Sequence, residues 1–169
     1  SMCFLGEPLL DFAMNRREPE KLGNRHPSMA PHGTYRCLGE DSWLSIAIAD
    51  DGEWQAFVKA IGRPIWAQDS RFDSRSGRWR HQDEIDKAIT EWASGQDHRQ
   101  AMQLLQQAGV TAGAVLNAEE LMEDPHLAAR NYFSKVTHPK AGTHRYPGLP
   151  IRLSDTIPRS QLPAPCIGE

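Results

Sequence analysis

The sequence predicts an α+β fold with a helical middle, a small antiparallel sheet and loop-rich termini. Three observations carry this. Between residues 51 and 109, apolar residues recur at helical spacing in three successive windows, each closed by a glycine. On both sides lie short runs rich in β-branched and aromatic residues, bounded by turn signals. The 13 Gly and 12 Pro gather toward the two ends, where helical or strand periodicity fades.

Composition narrows the class. A chain of 169 residues is one domain at ~150 residues per domain. Hydrophobic residues make up 39% and charged residues 24%, which is a globular balance and not a disordered one. Lys and Arg number 19 against 22 Asp and Glu, a net charge of −3. That balance argues against a nucleic-acid domain, whose phosphate partner needs a concentrated basic face. No apolar run approaches the ~18 residues of a membrane helix. The first twenty residues carry Glu7, Asp11, Arg16 and Arg17, which leaves no secretory core. Cys3, Cys37 and Cys166 lie far apart with no C-x-x-C pair, so reduced thiols and a cytoplasmic location are expected.

Each element has its own signal. Leu5, Leu9, Phe12 and Ala13 form a short helical pattern with Pro8 near its start, and a charged connector broken by Pro19 follows. Residues 23–35, GNRHPSMAPHGTY, are a loop punctuated by Gly and Pro. Thr34–Cys37 and Trp43–Ile48 read as two strands joined by a turn at Gly39-Glu40-Asp41. Asp50 or Asp51 caps a helix with Trp54, Phe57, Val58 and Ile61 on one face, closed by Gly62. Arg63–Arg80 is polar and arginine-rich, a long surface loop anchored by Trp66 and Phe72. A second helix buries Ile85, Ala88, Ile89 and Trp92; a third, capped by Asp97, buries Ala101, Leu104, Leu105 and Ala108. Val110–Leu116 is a short apolar stretch, read as a buried strand or an extended linker. Asn117 with Glu120 repeats the capping signal, and Asp124-Pro125 starts one further turn. Tyr132–His138 and His144–Tyr146 form a hairpin around Pro139–Gly142. Ile151–Leu153 is a third extended piece, and the proline-rich end is a tail. Trp43, Trp54 and Trp92 are assigned to the core.

The search for chemistry returns mostly exclusions. Seven His show neither i, i+4 pairing nor H-E-x-x-H, so no metal site is expected. No G-x-S-x-G elbow and no phosphate loop occurs, and Cys37 reads as a small hydrophobe in a strand. Arg71, Arg75, Arg78 and Arg80 read as a solvated cluster beside Asp69, Asp73 and Asp83. The loop at 23–35 remains, rigid and rich in groups that can face a ligand. Composition alone leaves it open as a binding loop or a structured connector.

At that segment the chain resembles the class III CoA-transferases, the family of formyl-CoA transferase, carnitine CoA-transferases and alpha-methylacyl-CoA racemase. The run GEPLLDFAMNRREPEKLGNRHPSMAPHGTYRC at 6–37 carries the likeness. DGEWQAFVKAIGRP at 51–64, DSRFDSRSGRWRHQDEI at 69–85, LLQQAGVTAGAVLNAEELMEDPHLAARNYF at 104–133 and HPKAGTHRYPGLPIRLSDT at 138–156 follow in the family's order.

The resemblance implies the small domain of that fold. Residues 1–30 then correspond to a linker and helix remnant of the large domain, 31–155 to the small α+β domain, and 156–169 to an extended tail. The family's catalytic aspartate would lie in a preceding half, so no residue here takes a catalytic role. The chain alone is expected to be inactive, as a truncated or free-standing module. The family's glycine-rich covering loop aligns with Ser28–Gly33, which lacks the run of glycines and is stiffened by Pro31. Pro31, His32 and Gly33 are therefore the residues expected to face an acyl-CoA or CoA, with Tyr35 as a pocket wall. No resident cofactor is expected. The implied partners are a CoA thioester and either a second copy of the chain or a separate large domain. A non-catalytic binding or assembly module is the alternative reading.

Overall fold

The computed structural model describes residues 6–18, 21–151, 154–155, 162–166 and 168. Chain contacts divide the molecule into two compact units, Ser1–Val115 and Leu116–Glu169.

The first unit opens with α1 (Gly6–Asn15) and continues through the loop into β1 (His32–Arg36) and β2 (Trp43–Ala47). The expected turn joins these strands: Cys37 donates its N–H to Ser42 at 2.8 Å, and Asp41 takes a positive φ of 55°. Next comes α2 (Asp51–Ala60), with Asp50 accepting from the Glu53 N–H at 2.8 Å as its cap. The stretch expected as a surface loop is instead built from two 3-10 turns, Ile65–Gln68 and Ser70–Phe72, and a short helix, α3 (Arg75–Arg80). Ser74 caps α3 through the Gly77 N–H. Two longer helices follow, α4 (Gln82–Ala93) and α5 (His98–Gln107), and then β3 (Thr111–Val115).

β2 is the central strand of an antiparallel sheet ordered β1-β2-β3. Its register sets the two faces. Tyr35, Leu44 and Ala114 align across one, with Gly33, Ile46 and Ala112 beside them; Thr34, Ser45 and Gly113 align across the other. The first face meets α4 and α5 over a core that includes Tyr35, Leu44, Ile46, Trp54, Phe57, Ile85, Ile89 and Leu105. Strict alternation, with Leu44 and Ile46 buried and Trp43, Ser45 and Ala47 half-buried, identifies the helix-covered side. Trp54 is fully buried and Trp92 packs partly buried against the cluster. Trp43 departs from its core assignment: it is half-buried on the other face and donates its indole N–H to Asp41 at 2.8 Å.

The second unit contains α6 (Ala118–Met122), α7 (Pro125–Ala129) and the hairpin β4 (Phe133–His138) with β5 (Gly142–Pro147). Asn117 and Glu120 form a reciprocal capping box, and Asp124 caps α7 with Pro125 in its first turn. Among the described residues of this unit, Val136 is the buried apolar side chain. The expected third extended piece falls mostly outside the described residues, as does most of the tail.

Candidate functional site

The segment that stood out in the sequence is held at four points by α3, α4 and the neighbouring strand. Arg25 pairs with Asp83 and, at 3.4 Å, with Asp86, both on α4. Trp79 donates its indole N–H to the His26 carbonyl at 3.3 Å, and Arg78 donates to the Ala30 carbonyl at 2.9 Å. Ala30 and Ile48 close the loop onto the sheet, since Ala30 N–H donates to Ile48 and Ile48 N–H to Pro31, each at 3.0 Å. The arginine-rich stretch expected as solvated surface is thus the strap of this loop. Arg71 keeps the expected exposed role, bonding Asp69 and Glu84. Arg78 does not: it is fully buried.

The four expected site residues separate. Pro31 is buried beneath the loop. His32 and Gly33 border two adjoining cavities, of about 340 Å³ and 230 Å³. The larger lies over the sheet face of Thr34, Ser45 and Gly113, rimmed by Gly23–Arg25. Small side chains on three successive strands leave this floor shallow, and the Thr34 and Ser45 hydroxyls bond one another at 3.1 Å. The smaller reaches Tyr35 and Asp86.

Tyr35 is only 4% exposed and donates its hydroxyl to Asp86 at 2.8 Å. Burial first, and then the Asp86 carboxylate, push its pKa far above the ordinary phenol value, so it acts as a neutral donor. The same ring explains Gly33, since a Cβ there would stand 3.1 Å from the Tyr35 hydroxyl. His32 donates from Nδ1 to the Asn24 carbonyl, because a carbonyl can only accept; in the neutral ring Nε2 is then an acceptor. His26 has the opposite arrangement, its Nδ1 accepting from the Ser28 N–H at 3.2 Å. The two rings lie 5.4 Å apart.

The site thus gathers one buried phenol, one imidazole held at Nδ1 and an arginine already paired. Cys37 is buried, and burial foremost raises its thiol pKa, which disfavours the thiolate form. Among the described residues no group of three or more His, Cys, Asp or Glu is placed to hold a metal. No helix among them is long and apolar enough to cross a membrane. Sequence reasoning missed Arg78 and Asp86. A signal for Arg78 existed: with Gln82, Ile85 and Ile89 it continues the buried helical stripe backward at i, i+4, i+7 and i+11.

A three-stranded antiparallel sheet backed by helices, with a strapped loop at its edge, defines the class as an α+β domain. The chain matches CoA-transferase family III over residues 1–169, and it belongs to that family. It is 37% identical over 114 residues to "Probable CoA-transferase Rv1866" of Mycobacterium tuberculosis, covering 68% of this chain and 14% of that protein. It is 31% identical over 150 residues to the succinyl-CoA–D-citramalate CoA-transferase of Chloroflexus aurantiacus, covering 89% and 37%. The fold is that of a CAIB/BAIF family protein from Brucella suis, with a TM-score of 0.76 at 23% identity over 95% of this chain and 41% of that one. The chain therefore spans well under half the length of these relatives.

Proposed function

We propose that the chain supplies the small α+β domain of a CoA-transferase and that its loop at 23–35 contacts a CoA thioester without catalysing transfer by itself. The single observation that supports this most is the pair of cavities bordered by His32 and Gly33, beside a loop strapped to α3 and α4. Names of relatives such as the Chloroflexus enzyme suggest thioesters of small carboxylic acids as the ligand class. On this reading residues 1–30 connect to a large domain, 31–155 form the small domain and 156–169 are its tail. Transfer in such a family requires a carboxylate nucleophile. Asp86, the carboxylate at the smaller cavity, is already bonded to Tyr35 and Arg25.

Isothermal titration with CoA and an acyl-CoA tests the contact, and CoA exchange between an acyl-CoA and a free acid tests turnover. Binding without exchange is expected. Silent titrations overturn the ligand reading, and exchange that His32→Ala abolishes overturns the inactivity.

One observation favours the alternative of an assembly module. α1 buries none of its residues, and Leu10 and Met14 are 61% and 78% exposed. Such a face suits a covering surface, either a second copy or a separate large domain. Light scattering of the chain alone distinguishes self-association from a monomer awaiting a partner.

A further inference from the structure

Arg78 is the one fully buried cation among the described residues. A buried guanidinium is costly unless its donors are all satisfied, and here they are. Nε donates to the Ala30 carbonyl at 2.9 Å. Nη1 donates to the carbonyls of Phe72 at 3.0 Å and Asp73 at 3.3 Å. Nη2 donates to the Asp50 carbonyl at 3.3 Å and the Asp51 carboxylate at 2.8 Å. The guanidinium carbon stands 5.4 Å from the centre of the Trp54 ring.

One planar group therefore joins three separate pieces of chain: the base of the loop at Ala30, the start of α2, and the turn that ends at Asp73. Only a fork with donors in fixed directions can do this. A lysine ammonium, with three donors at one point, cannot span Ala30 and the 72–73 carbonyls together. Gly77 makes the placement possible: a Cβ there would stand 2.1 Å from the Arg71 carbonyl oxygen, so the glycine lets α3 lie against that turn and lowers Arg78 into the core.

We propose that Arg78 is the positioning residue of the candidate site, holding the Ala30 carbonyl so that Pro31, His32 and Gly33 sit at the sheet edge where a thioester is bound. It lines neither of the two cavities beside His32 and acts through the loop. Its role toward a ligand rests on the CoA-thioester reading above; its role toward the loop does not.

Two amides report the loop independently of any ligand. Ala30 N–H is bonded to Ile48 and Ile48 N–H to Pro31, so loosening of the loop speeds hydrogen exchange at both. Arg78→Lys is compared with Leu105→Ala, a core change on α5 that lowers stability without touching the loop. The two are studied at the same margin below their own Tm. In Arg78→Lys, exchange at Ala30 and Ile48 is expected to rise by about tenfold or more relative to the amides of β2, the size expected from losing one charge-assisted hydrogen bond. CoA-thioester affinity is expected to fall by a similar factor, whereas Leu105→Ala shifts neither. Asp51→Asn, at a side chain 61% exposed, removes the carboxylate alone and gives the same pattern at smaller size should the lysine variant not fold.

Uniform exchange across β2 and the two reporter amides overturns the positioning role, whatever the titrations show. Selective exchange in the variant, together with a parent chain that binds no CoA thioester, overturns the CoA reading and upholds the hold on the loop.

Discussion

Tyr35 shows how a single buried group ties the site to the core. Its hydroxyl meets Asp86, which also meets Arg25, so a loop residue, a strand residue and a helix residue share one carboxylate. Tyr35→Phe leaves Asp86 short of a donor and is expected to cost about 1–3 kcal/mol in urea denaturation. The pH dependence follows from the raised phenol pKa. The unfolded phenol ionises near pH 10 while the folded one stays protonated, so the stability it contributes is whole below about pH 10 and declines above it. Denaturation midpoints at pH 8 and pH 11 should show a loss that Tyr35→Phe reduces. Asp51 behaves oppositely. The hydrogen bond from Arg78 holds its carboxyl below the usual range, so that contribution is present above the ordinary Asp pKa and is lost as pH falls through the folded value. Gly33→Ala is expected to destabilise by about 1 kcal/mol or more, because the anchored Tyr35 ring has little room to yield. Wild-type Tm in that variant would show that the ring moves freely.

At the scale of elements, short-range signals and long-range ones diverge. Caps were legible because they are local: Asp50, Asp97, Asn117 and Asp124 each accept from an N–H two or three residues on. Asn117→Ala should lower the stability of the second unit by about 1 kcal/mol, seen as faster amide exchange in α6 and unchanged exchange in α5. The stretch 63–80 was not legible, because its order comes from partners far away in sequence. Arg78 meets Ala30 and Asp50, and Trp79 meets His26. The stripe of Gln82, Ile85 and Ile89 does extend back to Arg78, but a charged residue in that position does not by itself announce a buried face. Gly77→Ala tests that element as a whole. Its Cβ would strike backbone, not a flexible side chain, so a loss of about 3 kcal/mol and release of Arg78 from the core are expected. A Tm within a degree of wild type would show that α3 can shift without cost.

At the scale of the molecule, the core cluster lies wholly before residue 116. A chain ending at Val115 is therefore expected to fold, with a cooperative thermal transition and the near-ultraviolet signature of Trp54 packed beside Phe57 and Phe72. A gradual, non-cooperative melt would mean that the second unit is required. The reverse experiment, residues 116–169 alone, should melt at low temperature or not fold, since Val136 is the buried apolar side chain among its described residues.

By itself the sequence determined the class, the family resemblance, the caps, the strand pair with its turn, and the loop at 23–35 as the place to look. These rest on short-range periodicity, on turn chemistry and on an ordered set of motifs, all of which are written along the chain. Only the tertiary structure decided which residues of that loop face a cavity and which are buried, and that an arginine taken for surface is the centre of the strap. Those outcomes depend on groups 27 to 61 residues apart meeting in space. A buried charge is tolerated only where distant carbonyls converge on it, and no local pattern records that convergence.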